Sequence, residues 1–190
     1  MAWETASVVV KLKRKDLPKA YQERIARELV QIILKRTEDG KDKKGKPFKE
    51  YSDAYEMSDD FFLAGKIPGQ VDLRLSGDML ADFGVLSARD GRIVLGFESE
   101  EQRGKAHGHQ TGKDGKKSKN GKAFPVRDFL GISKEELKQA LRKVPPPRDY
   151  LEALRKTWNE NVRDGNERVG SIADDLVRFA DIIADEAETF

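Results

Sequence analysis

The sequence predicts a mixed α/β fold of the α+β kind, and three observations carry that prediction. Ser7 to Lys13 is a β-branched run (SVVVKLK), and Tyr21, Ile25, Leu29, Ile32 and Ile33 recur at helical spacing. Two apolar runs, Val85-Leu86-Ser87 and Ile93 to Phe97, flank Arg89-Asp90-Gly91-Arg92. β-Branched residues suit a pleated, half-buried surface. A 3.6-residue apolar period marks a helix with one buried face. Asp-Gly between two apolar runs is a strong hairpin signal, because a tight two-residue turn needs positive φ.

In chain order, Ser7 to Lys13 is the first strand. Asp16 offers an N-cap with Pro18 inside the first turn, and the helix runs to about Arg36, roughly 30 Å, stopping before Gly40. The following polar, Gly-rich loop carries Phe48 and Tyr51, which are expected to pin it onto the body. Residues 52 to 70 give no clear periodicity. Val71 to Leu75 alternates as a strand does, and Ser76-Gly77-Asp78 opens a helical turn through Met79, Leu80 and Phe83. After the hairpin, Ser99 to His107 reads as a short helix and Phe124 to Leu130 as extended chain. Ser133 caps a further helix, with Glu136 at the capping-box position and Leu137, Ala140 and Leu141 facing inward.

Pro145-Pro146-Pro147 ends that helix and divides the chain into a body, 1–144, and an acidic helical arm, 145–190. In the arm Tyr150, Leu151, Leu154 and Trp158 form one helical face, and Ile172, Leu176, Phe179 and Ile183 another. Ser171 caps the second, with Asp174 and Asp175 at its positive end; Asp185, Glu186 and Glu188 oppose the dipole at the other end, so the tail is expected to fray. No internal repeat is present.

With charged and hydrophobic residues each at 37% of a 190-residue chain, the expectation is one soluble domain with a modest core and a highly charged surface. The net charge of +2 conceals a gradient: residues 1 to 50 and 103 to 127 are basic, and the chain from Asp149 onward is acidic. Polarised charge favours contact with a charged partner, copies of the same chain included. The chain has no cysteine, which excludes disulfides and thiolate metal sites. No apolar run approaches a membrane span, and no signal-peptide core follows Met1.

The motifs that suggest chemistry weigh against catalysis. His107 and His109 stand two apart, but a metal site needs a third donor; without one placed nearby, structural imidazoles in a turn are the preferred reading. Asp59-Asp60 and Asp174-Asp175 are adjacent, and neighbouring residues rarely converge on one substrate atom, so helix caps explain them better. Gly112 to Ser118 lacks the G-x-x-x-x-G-K-[ST] spacing of a phosphate loop. The loop from 112 to 122 contains no large apolar residue and is expected to be flexible. Its Lys113, Lys116, Lys117, Lys119 and Lys122 would suit phosphate backbones without reading sequence. With no aromatic residues among them, base stacking is not indicated. Trp3 and Trp158 read as packing or interface anchors.

The order of these pieces resembles the phage virion morphogenesis family, the tail-completion or head–tail joining (neck) proteins. The matching pieces are a long helix ending near Arg36-Thr37, a Gly-rich loop with Lys46-Pro47-Phe48 and Tyr51, and Leu75 to Leu80 (LSGDML). The hairpin ending Val94-Leu95-Gly96-Phe97, the turn His109-Gln110-Thr111-Gly112, and Pro125 to Ser133 (PVRDFLGIS) follow. Asp128 stands where a second proline is common in the family, and the arm lies outside the likeness. The resemblance implies a small, mainly antiparallel sheet with the long helix across it. It also implies a non-enzymatic virion subunit, made in the host cytoplasm, that needs no cofactor or metal. Such a subunit would form a self-assembled ring, usually a hexamer, between neighbouring neck and tail proteins, with DNA passing through the lumen. In this setting Arg127, paired with a carboxylate, Phe129, Leu130, Trp158 and Phe179 are the expected core or interface anchors. Two other readings are a non-sequence-specific nucleic-acid-binding protein using the Lys-rich loop and a hydrolase or metal enzyme using His107 and His109.

Overall fold

The structure is a computed structural model that describes residues 6–12, 16–73, 77–112, 125–161 and 188–189. Strand β1 (Val8–Lys11) leads to helix α1 (Lys19–Glu38), which carries the N-terminal periodicity. Two short helices, α2 (Asp53–Glu56) and α3 (Asp59–Leu63), form a flap; α4 (Asp78–Ala81) then leads into the hairpin of β2 (Phe83–Arg89) and β3 (Arg92–Phe97). Helices α5 (Glu100–Thr111), α6 (Lys134–Lys143) and α7 (Arg148–Asn161) follow, with a two-residue β4 (Glu188–Thr189) near the C-terminus. The result is the expected mixed fold: an antiparallel sheet in the order β2-β3-β1-β4 with one long helix packed on it.

Alternation along the strands supplies the core. Val8 pairs with Leu95 and Val10 with Ile93, and all four side chains are fully buried on the same sheet face. Against that face α1 sets Tyr21, Ile25, Leu29 and Ile33, each at most 1% exposed. The hairpin turns at Asp90 (φ 53°) and Gly91 (φ 72°), both left-handed, as a type I′ turn requires. A buried Gln22 holds this turn onto α1: its amide donates to the Leu17 carbonyl at 2.7 Å and its Oε1 accepts from Gly91 N–H at 3.0 Å.

Several local expectations are corrected. Pro18, not Asp16, is the N-cap of α1, and no side chain caps it; Asp16 lies farther out, within 3.2 Å of the Tyr150 hydroxyl. Residues 71 to 73 form no strand: Val71 and Leu73 are buried, but Leu73 has φ 55°, which breaks an extended path. Phe83 opens β2 instead of closing the preceding helical turn. The short helix expected to end at His107 continues to Thr111 as α5, because Ser99 caps its start and Gly112, at φ 67°, terminates it. The C-terminal tail is not a frayed helix end at Glu188 and Thr189, which pair with Lys11 and Val10. Paired with β3 on one side, β1 would be the edge of the sheet without this segment, and its free backbone groups accept it.

The capping box at Ser133 and Glu136 forms as expected, and α6 packs Leu137, Ala140 and Leu141 inward. Beyond the prolines the first turn of α7 stays against the body through partly buried Tyr150 and Leu151.

Candidate functional site

Residues 125–133 belong to no helix or strand, so their backbone polar groups must be satisfied by other parts of the chain. Arg36, near the end of α1 and 8% exposed, satisfies two of them. Its NH2 group donates to the carbonyls of Phe129 (2.7 Å) and Gly131 (2.9 Å), and NH1 meets Glu136 Oε1 at 2.6 Å. One guanidinium therefore ties the long helix to the PVRDFLGIS segment and to the capping box that starts α6. Lys43 binds the same segment from the loop after α1. Its N–H donates to the Asp128 carbonyl at 2.8 Å and its Nζ lies 2.9 Å from Asp128 Oδ2. Gly131 sits at φ 141°, and a Cβ there would come within 2.8 Å of the Lys43 side chain. Backbone angle and crowding both require glycine at that point.

Arg127 occupies the other end of the segment. Its N–H donates to the His109 carbonyl at 2.8 Å, which joins the chain on either side of the Lys-rich loop. Its guanidinium lies 4.9 Å from the Tyr51 ring centre and donates to the Lys49 carbonyl at 3.2 Å. The expected carboxylate partner is thus replaced by an aromatic face and a carbonyl, a common arrangement for a planar cation removed from water. Burial draws the Arg127 pKa below the ordinary arginine value, and Tyr51 and Tyr55 pull against it.

Tyr51 is shared by a second cation. Lys66 Nζ stands 5.0 Å from the same ring centre, 3.0 Å from the Tyr51 hydroxyl and 2.7 Å from Asp72 Oδ1. Burial alone would lower the Lys66 pKa, but the hydrogen bonds to Asp72 and Tyr51 outweigh it and hold the group above the usual lysine range. Around Tyr51, Tyr55 and buried Phe61 pack edge to face at 5.1 to 5.9 Å. Burial pushes the Tyr55 phenol above its ordinary pKa. The flap is thereby fastened to the body by one aromatic ring held between two cations.

Phe129 and Leu130 are core residues, 0% and 3% exposed. His107 and His109 are half-buried within α5 rather than in a turn. Asp59 and Asp60 are exposed in the first turn of α3, next to the Ser58 cap. Among the described residues no group of three or more His, Asp or Glu is arranged to hold a metal ion. Lys113, Lys116, Lys117, Lys119, Lys122, Phe179 and the Asp174-Asp175 pair lie outside the described residues, as does the side chain of Trp158. Among the described residues no helix is long and apolar enough to cross a membrane.

Sequence reasoning missed Arg36, Lys66 and Asp72. The partners of Arg36 stand 93 to 100 positions away, which no local pattern reveals. A lysine six residues before an aspartate in a stretch without periodicity carries no signal of pairing. No protein-family model, curated protein or solved structure matches this chain.

Proposed function

We propose that this chain is a structural, non-enzymatic subunit of a phage neck or tail-completion ring that joins head to tail and leaves a channel for DNA. One observation carries the reading: four of the six motifs on which the resemblance rests meet in space. The end of the long helix, the Lys46–Tyr51 loop, the His109–Gly112 helix end and the PVRDFLGIS segment are bound together by Arg36 and Arg127.

The ring is a homomeric one, six subunits in the simplest case, closed by a head-to-tail contact whose rotation returns to its start. On this reading the Lys-rich loop, 112–122, serves the DNA path. Its lysines contact phosphates weakly and without sequence preference, so DNA can slide past. The acidic arm, 145–190, is held to its own body at Tyr150, Leu151, Glu188 and Thr189, and its charge complements the basic part of an adjacent subunit or the next neck protein. A chain ending at Val144 that formed rings of undiminished stability would remove the arm from this account.

The test is mass measurement across concentration, followed by imaging, with joining to isolated heads or tails as the functional readout. Closed rings that complete heads or tails are expected. A chain monomeric at all concentrations that binds duplex tightly with a steep salt dependence would favour the nucleic-acid-binding reading instead.

A further inference from the structure

Large apolar side chains in the open need an explanation when they cluster. The flap has such a cluster: Met57, Phe62, Leu63 and Ile67 are 79%, 63%, 85% and 63% exposed. The flap's inner residues, Phe61 and Tyr55, are already committed to the Tyr51 cluster. The outer ones therefore form a knob on a fastened base. Its rim is acidic: from Ser52 to Ile67 the chain carries Asp53, Glu56, Asp59 and Asp60 against one cation, Lys66, whose side chain is buried and paired with Asp72.

A feature of opposite character lies at the other end of α1. Between the N-terminal half of that helix and β2, two adjoining hollows of about 710 and 490 Å³ share Arg27 and Val85. β2 is an edge strand of the sheet. Val85, half-buried, lines both hollows, with Val30 and Val144 at the smaller one. The rim is mainly basic, with Lys19, Arg24, Arg27 and Arg89 exposed, against two acids, Glu23 and Glu28. Glu28 is engaged by Lys143 at 2.6 Å and Glu23 by Lys19 at 3.7 Å, which leaves Arg24, Arg27 and Arg89 as the groove's excess positive charge.

Knob and groove cannot meet within one chain. Both are exposed in the same molecule. The flap is tied in by Tyr51 and Lys66 near the C-terminal end of α1, and from Arg24 to Arg36 that helix rises about 18 Å. We propose that they meet between copies: the acid-rimmed knob of one chain enters the base-rimmed groove of the next. Two different surfaces on one chain make a heterologous contact, the kind that generates rings or filaments. Apolar side chains in the centre with opposite charge at the rim are the usual anatomy of a specific interface. This inference rests on the reading that copies assemble and names the surfaces by which they do so.

The test uses two full-length variants that alter only exposed positions. Phe62→Ser with Leu63→Ser disables the knob, and Arg24→Glu with Arg27→Glu disables the groove. At a concentration where the unaltered chain assembles, each variant alone should keep its melting temperature and need about tenfold more protein, or more, to assemble. Mixed in equal amounts, they should form a one-to-one pair and nothing larger, because the mixture has one intact knob meeting one intact groove. Variants that assemble as the unaltered chain does would overturn these surfaces while leaving assembly itself standing. So would two assembly-defective variants whose mixture gives no pair. An unaltered chain that is monomeric at every concentration would overturn both this inference and the ring.

Discussion

Phe129 and Phe62 are the same residue in opposite situations. Phe129 is fully buried in a segment without regular secondary structure, while Phe62 is 63% exposed on a short helix. The irregular segment borrows its hydrogen bonds from elsewhere: Arg36 serves the Phe129 and Gly131 carbonyls and Lys43 serves Asp128. The flap satisfies its backbone locally, through turns such as Phe61 N–H to the Ser58 carbonyl, and leaves its outer side chains uncommitted. Interdependence in this molecule is therefore concentrated where regular structure is absent. The short helices, which look better ordered, are the parts free to meet another molecule.

The sharpest way to break that contrast is at Phe129. Truncation to Ala empties a fully buried aromatic site and is expected to cost about 3 to 5 kcal/mol. Thermal and denaturant unfolding measure this directly. An unchanged melting temperature would show that the segment is not the centre of the core.

Arg36→Ala comes next. It strips the carbonyls of Phe129 and Gly131 of their donor and leaves the capping-box Glu136 without its cation. Breaking a buried pair from one side costs about 3 kcal/mol. Glu136 keeps its bonds to Ser133, so the start of α6 should survive while protection of the 129–131 region against amide exchange falls. Uniform loss of protection over the whole chain would contradict the local role given to Arg36.

These two residues also measure what the sequence discloses. The burial of Phe129 and Leu130, the I′ hairpin at Asp90-Gly91 and the Ser133–Glu136 box were legible because each is encoded within a few neighbouring positions. Arg36 was not. Read locally it is a basic residue in the last turn of a helix, well placed for the dipole; its real function depends on carbonyls brought to it by the fold. Val71 to Leu75 misled for a related reason. Its alternation is genuine, since Val71 and Leu73 are both buried, but they reach the core from an irregular segment that passes close to Gly40 rather than from a sheet. A Cβ on Gly40 would lie 3.0 Å from the Val71 carbonyl. The flap's role was hidden because its apolar residues follow no period, whereas exposure is a property of the finished surface.

The junction between the two regions should respond less strongly. Arg127→Ala removes the cation from the Tyr51 ring and the bond to Lys49, and about 1 to 2 kcal/mol is expected from a desolvated cation–π contact. Arg127→Lys should recover part of the charge but not the planar stacking. Alkaline pH tests this junction without mutation, together with Tyr21 buried on α1. Tyr21, Tyr55 and Lys66 all have pKa values raised in the fold, so the native state holds these protons longer than the unfolded chain does. Their contribution is complete below the ordinary tyrosine value of 10.0 and is lost as pH rises beyond it. Unfolding followed by circular dichroism alongside tyrosinate absorbance should show stability falling only above that point. A decline beginning near neutrality would place the sensitive groups elsewhere.

The smallest expected effect is at Phe62, and its smallness is what gives it value. Because the ring is 63% exposed and packs only edge-on against Phe61, at 5.9 Å between centres, Phe62→Ser removes little buried apolar area. Surface changes of this kind usually stay within about 0.5 kcal/mol. Monomer unfolding at low concentration should therefore match the unaltered chain, while Phe129→Ala under the same conditions should not. A large loss of monomer stability at Phe62 would mean that the flap's outer face is covered within its own subunit. The contrast between a committed segment and an uncommitted one would then fail at its simplest point.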